Sequence, residues 1–120
     1  MKTVLIVDDA AFMRMFVKNV IEKTGDYKVI GEAVDGNDAI EKYKMLKPDL
    51  VTLDITMPNL DGLGALKGIM SVNPDARVVM CSAMGQKVMV MDALKLGARD
   101  FVVKPFEASR VLEALSKAGR

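Results

Sequence analysis

The sequence predicts an α/β fold, a doubly wound five-stranded parallel sheet with helices on both faces. Three observations carry this expectation: five short β-branched apolar runs recur along the chain, longer segments of helical period separate them, and turn-forming residues punctuate the joints. Each run is nearly continuous in apolar character, as strands buried on both faces should be. Alternating β and α units of this length imply right-handed crossovers and hence parallel pairing.

The first run, Thr3 to Asp8, leads into a segment with Met13, Val17, Val20 and Ile21 on one helical stripe, and Gly25 follows that segment. The second, Lys28 to Ala33, precedes the turn signal Asp35-Gly36 and a helix carrying Ala39, Ile40, Tyr43 and Leu46. Pro48 closes that helix ahead of the third run, Leu50 to Asp54. Asp61-Gly62 marks a further turn before a helical segment that ends at Pro74. The fourth run is Arg77 to Cys81, with the helical segment after it ending at Gly97, and the fifth is Asp100 to Lys104. The last helix shows Ala108, Val111, Leu112 and Leu115 on one side. With no repeat, low-complexity tract or linker, residues 1–120 read as one domain, large enough to bury roughly two thirds of its unfolded surface unaided.

Composition removes several function classes. Seventeen basic against sixteen acidic residues leave no electrostatic footprint for nucleic acid or anionic lipid. No apolar stretch approaches the ~20 residues that cross a bilayer, and Met1-Lys2 run straight into the first apolar run without a signal-peptide pattern. A cytoplasmic protein, monomeric and without nucleic-acid or membrane partners, is expected. The single cysteine, Cys81, reads as a small buried hydrophobe, and the absence of histidine excludes Ser-His-Asp and Cys-His chemistry. Among the ten methionines, Met80 reads as core, whereas Val88, Met89, Val90 and Met91 in succession cannot all face inward from one helix.

In doubly wound sheets the strand C-termini meet at one edge, where ligands bind. Here the first strand ends in Asp8-Asp9, the third in Asp54, the fourth in Ser82 and the fifth in Lys104-Pro105. Singly, each has an ordinary reading as a helix cap or a solvated charge. Jointly they do not, because carboxylates crowded into one crevice raise one another's pKa unless a cation sits among them. An all-oxygen set of carboxylates, carbonyl and water suits Mg²⁺, which is often completed by phosphate. Asp54, on the central strand, is the natural nucleophile toward phosphorus, with Asp9 and Asp54 holding the metal directly and Asp8 acting through water or as a further ligand. Lys104 would pair with one phosphoryl oxygen and Ser82 donate to another.

The ordered set Val4-Leu5-Ile6-Val7-Asp8-Asp9, Asp54-Ile55-Thr56-Met57-Pro58 with Asp61-Gly62, Ser82-Ala83, and Gly97-Ala98-Arg99-Asp100-Phe101 leading to Lys104-Pro105-Phe106 resembles the receiver domain of bacterial two-component response regulators. The resemblance spans essentially the whole chain. It implies strand order 2-1-3-4-5 in a flavodoxin-like three-layer sandwich with five helices, the Thr56 carbonyl as backbone metal ligand, and a cis Lys104-Pro105 bond. The phosphodonor it implies is a histidine kinase or a small acyl phosphate, and catalysis is limited to the protein's own phosphorylation and dephosphorylation.

Asp9-Ala10-Ala11-Phe12-Met13-Arg14 and Cys81-Ser82-Ala83-Met84-Gly85 are similar to CheY-like stand-alone chemotaxis regulators. A CheA-like kinase, a FliM-like flagellar motor switch protein and a CheC, CheX or FliY type phosphatase are the partners this implies. In the family, Ser82 would be drawn to the phosphoryl group and Phe101 would rotate into the space behind it, while Thr56 and Met84 tune self-dephosphorylation. Phe101 stands where tyrosine is usual and Ser82 where threonine is common, and Phe101 also has an ordinary reading as a core aromatic. Other readings are a receiver in a non-chemotaxis phosphorelay, a metal-dependent aspartyl-phosphate phosphohydrolase, and a flavodoxin-like electron carrier. The hydrolase would require an aspartate at Thr56 and room for a cap domain; the carrier would require a hydroxyl-rich loop after the first strand.

Overall fold

The computed structural model describes residues 1–119; Arg120, the last residue of the expected domain, lies outside the described residues. Ten elements alternate: β1 (Lys2–Val7), α1 (Ala11–Glu22), β2 (Tyr27–Ala33), α2 (Gly36–Leu46), β3 (Leu50–Asp54), α3 (Gly62–Val72), β4 (Val78–Ser82), α4 (Lys87–Lys95), β5 (Asp100–Val103) and α5 (Ala108–Ala118). The strands form one parallel sheet in the order β2-β1-β3-β4-β5, as the resemblance implies.

Side-chain alternation along the strands sends successive residues to opposite faces. Val4 and Ile6 of β1 pack with Val17 and Ile21 of α1 and with Val111, Ala114 and Leu115 of α5. Leu5 and Val7 pack with Ala39 and Tyr43 of α2, Leu66 and Ile69 of α3, and Val90 and Ala93 of α4. Two helices thus cover one face and three the other. Every residue of β3 and β4 is buried. The edge strands differ from the expected burial on both faces: β2 is fully buried only at Ala33 and β5 only at Val102, because an edge strand has one neighbour and incomplete helix cover.

Element ends depart from the sequence reading by single residues. Asp8 and Lys104 lie one position beyond their strands, while Ser82 is the last residue of β4. The apolar stripe of α5 runs through Val111, Ala114, Leu115 and Ala118, leaving Ala108 exposed in the helix's first turn. Asp35 and Asp61 serve as N-caps, accepting from the N–H groups of Asp38 and Gly64 at 2.8 Å. Met80 is buried, as expected, and on α4 only Val90 of the run Val88 to Met91 turns inward. No helix among the described residues is long and apolar enough to cross a membrane.

Candidate functional site

The chain leaves β1 at Asp8, whose N–H donates to the Ala33 carbonyl at 3.1 Å, so the β1–β2 ladder reaches the site's edge. The Asp8 side chain is buried and its Oδ1 accepts from the Ala10 N–H at 2.9 Å. One turn into α1, Arg14 donates from its terminal nitrogen to the Asp8 carbonyl at 2.8 Å and from Nε to Glu32 at 2.9 Å. The loop carrying Asp8 and Asp9 is thereby tied to β2. Asp9 is exposed.

Asp54 ends the central strand, opposite Cys81 of β4, and the next ladder bond runs from the Ile55 N–H to the Cys81 carbonyl at 3.0 Å. Gly62 sits against this backbone. A Cβ there would stand 2.2 Å from the Asp54 carbonyl oxygen, so only glycine permits the approach. Across the sheet, the Lys104 N–H donates to the Ser82 carbonyl at 2.7 Å and the Lys104–Pro105 peptide is cis. The Lys104 ammonium stands 3.2 Å from Asp8 Oδ2 and 3.2 Å from Asp54 Oδ2. One carboxylate oxygen each from Asp8, Asp9 and Asp54 falls within 4.8 Å of the other two.

These placements explain the local electrostatics. Burial, reinforced by the Asp8 charge, pushes the Asp54 carboxyl above its ordinary value, and Lys104 and the Thr56 N–H offset this only in part. Burial works against the Lys104 charge, yet Asp54 and Asp8 outweigh it and hold the ammonium above its usual range. Burial, with Asp54 beside it, pushes the Cys81 thiol up to about 12, far from reactive thiolate. A buried pair of carboxylates with one lysine between them is under-neutralised, and three hard oxygen donors in reach of one point suit a small divalent cation.

Residues 4–116 match the response regulator receiver domain. The chain belongs to this family. The receiver is 60% identical over 119 residues to the chemotaxis protein CheY of Thermotoga maritima, covering 99% of this chain and 98% of that protein. It is 59% identical over 114 residues to CheY of Bacillus subtilis, covering 95% and 94%. Among solved structures it superposes with a TM-score of 0.90, at 41% identity, on a Borrelia burgdorferi CheX-CheY complex with BeF₃ and Mg²⁺, over 95% of this chain and 86% of that one.

The other sequence-predicted residues of the receiver are distributed around this centre. Ser82 is buried at the end of β4. Phe101 is half-buried, neither a sealed core aromatic nor a surface one, and lines a groove of about 400 Å³ with Ser82, Val90, Met91 and Val103. Met84, expected to tune self-dephosphorylation, is 80% exposed. Thr56 is exposed, and its hydroxyl accepts from Gln86. Sequence reasoning missed Arg14 and Gln86. Arg14 had a detectable signal, since it lies one helical turn beyond Ala10, where the chain leaves the aspartate pair; for Gln86 there was none.

Proposed function

We propose that the chain is a single-domain receiver that accepts a phosphoryl group on Asp54 from a CheA-like histidine kinase and thereby controls a FliM-like flagellar motor switch protein. The observation that carries the chemistry is the meeting of Asp8, Asp9 and Asp54 oxygens within 4.8 Å beside the Lys104 ammonium. Those oxygens, with the Thr56 carbonyl, would hold Mg²⁺, whose charge would neutralise the transferred group. An Asp54 oxygen attacks phosphorus in line, the P–O bond forms as the P–N bond of the phosphohistidine breaks, and the leaving imidazole takes its proton from solvent. Lys104 then shifts from the carboxylates toward one phosphoryl oxygen while the Ser82 hydroxyl donates to another.

Chemotaxis rests on the relatives named CheY at 60% and 59% identity, which this chain spans almost end to end. The Borrelia CheX-CheY complex supports a CheX-type phosphatase as the partner that resets the signal. Domain size, balanced charge and the absence of a spanning helix among the described residues fit a cytoplasmic monomer. Thr56 stands where an aspartyl-phosphate hydrolase would need a second acid, which disfavours turnover of external phosphate esters. The groove between Phe101 and Ser82 gives the aromatic ring somewhere to go when Ser82 moves, and α4 and β5 flank it. Met84, exposed as it stands, would shield the acyl phosphate only after the loop rearranges.

The test is capture from cytosol with and without beryllofluoride and Mg²⁺, beside phosphorylation by acetyl phosphate read by intact mass. Wild type should gain one phosphoryl group and Asp54→Asn none, and the motor switch should be captured only in the beryllofluoride state. Phosphorylation persisting in Asp54→Asn, or many turnovers on a generic phosphate ester, would overturn the proposal. Capture that ignores beryllofluoride would remove the motor assignment.

A further inference from the structure

The side chain of Gln86 joins the two loops that frame Asp54. Its Oε1 accepts from the Ala83 N–H at 2.6 Å and its Nε2 donates to Thr56 Oγ1 at 2.6 Å. Ala83 directly follows Ser82, and Thr56 stands two residues beyond Asp54 with its N–H lowering the Asp54 carboxyl's pKa. One amide therefore bridges the β4–α4 and β3–α3 loops beside the reacting carboxylate.

The local backbone is arranged for this contact. Gly85 has φ 87°, a left-handed conformation that folds the loop back so that Gln86 reaches Ala83 three positions earlier. Gln86 is also the N-cap of α4, yet its side chain makes no cap hydrogen bond, and the first turn of α4 has no acidic residue. Among side chains that cap well, glutamine is not one; at this position its length serves the bridge. The helix it starts fully buries only Val90 and Ala93, so α4 is shallowly seated and the bridge is one of the contacts that fix its beginning.

Both bonds, at 2.6 Å, are shorter than the ~2.7–3.2 Å usual for N–H···O contacts. Resting on the reading that Asp54 is the phosphoacceptor, a shift of Ser82 toward the new group carries the Ala83 N–H with it, and the bridge breaks or drags Thr56 and α4 along. A dianionic phosphoryl group is a stronger acceptor than a neutral amide, so it can take over the Ala83 donor that Gln86 holds. We infer that Gln86 is a latch, a positioning residue that holds the β4–α4 loop in the unphosphorylated arrangement by engaging Ala83 and Thr56, and that phosphorylation of Asp54 releases it.

A latch opposes activation, so its loss should favour the active arrangement. Beryllofluoride binding to the full chain with saturating Mg²⁺, followed by calorimetry, reads this directly. Gln86→Ala should bind about three- to tenfold more tightly than wild type, the factor expected for one or two net hydrogen bonds. Thr56→Val, which removes only the hydroxyl end, should shift affinity in the same direction, and the double variant should gain less than the product of the two. In amide NMR spectra without beryllofluoride, the Ala83 signal of Gln86→Ala should move toward its position in beryllofluoride-bound wild type, a signature that loss of a mere structural contact would not give. Equal or weaker binding by Gln86→Ala, or an Ala83 signal that moves off that line, overturns the latch. Failure of wild type to bind, or binding retained by Asp54→Asn, would instead overturn the phosphoacceptor reading on which the latch rests.

Discussion

At the scale of single residues, the burial of Asp54 beside Asp8 builds the free site at a cost to stability. In the unfolded chain its carboxyl titrates near 3.8; in the folded one burial and Asp8 raise that value. Between the two values the native state holds a proton that the unfolded state has released, so stability falls as pH rises through the folded value and is fully restored only below the unfolded one. Asp54→Asn removes the charge while Lys104 keeps Asp8 as a partner at 3.2 Å. At pH 7 without metal, the variant should therefore melt ~2–8 °C above wild type. The gap should close toward pH 3, where both side chains are neutral. Thermal melts by circular dichroism in chelator across that range test this; a variant no more stable than wild type at pH 7 would refute it. This crowding of carboxylates was legible in the sequence because Asp8, Asp9 and Asp54 lie at or just past strand ends, and parallel strands end at one edge. Gln86 was not legible, and of Arg14 only its place one helical turn beyond Ala10 was. Their roles depend on a side chain reaching across loops to Thr56 and Asp8, and loop paths leave no period in a sequence.

At the scale of elements, the placement of Asp54 depends on how closely α3 packs on the end of β3. Helix propensity alone predicts that Gly62→Ala would stabilise the first turn of α3 by up to ~1 kcal/mol. Contact geometry predicts the reverse, because the new Cβ would lie 2.2 Å from the Asp54 carbonyl oxygen and 2.5 Å from the Ile55 Cα, both backbone atoms that cannot rotate aside. Overpacking of this kind costs ~1–3 kcal/mol, so the clash wins. Gly64→Ala is the matched control: its nearest neighbour is the end of the flexible Leu60 side chain, at 2.4 Å, which can give way. Urea unfolding should show Gly62→Ala less stable than wild type and Gly64→Ala much nearer to it; equal midpoints for the two variants would remove the backbone clash as the cause. Asp61-Gly62 was readable as a turn, yet the reason for glycine was not, since it lies in a tertiary approach and not in the turn itself. Strand existence was readable from alternating periods and strand order only from the family resemblance, whereas burial of β2 and β5 was overestimated because apolar character does not reveal which strands lie at the edges.

At the scale of the whole molecule, the site and the fold are one cooperative object. Lys104 and Asp8 are 96 positions apart in the chain yet in contact, and Asp54 comes from the strand between theirs in sequence. Global unfolding scatters these groups, so a cation that binds only the assembled oxygens must stabilise the whole fold by mass action. Mg²⁺ at about a hundred times its dissociation constant should add ~2.7 kcal/mol to the unfolding free energy, and chelation should remove that increment reversibly. The increment should shrink in Asp9→Asn and Asp54→Asn, which each remove one of the clustered charges, while Gly64→Ala, whose new methyl group meets Leu60 and none of the three clustered carboxylates, should keep it in full. Asp54→Asn would then be more stable than wild type without Mg²⁺ and gain less from it, so the two melting curves should converge or cross as the metal is raised. Parallel curves, with equal gains in all variants, would mean that Mg²⁺ acts as a general salt and that the carboxylate cluster is not its site.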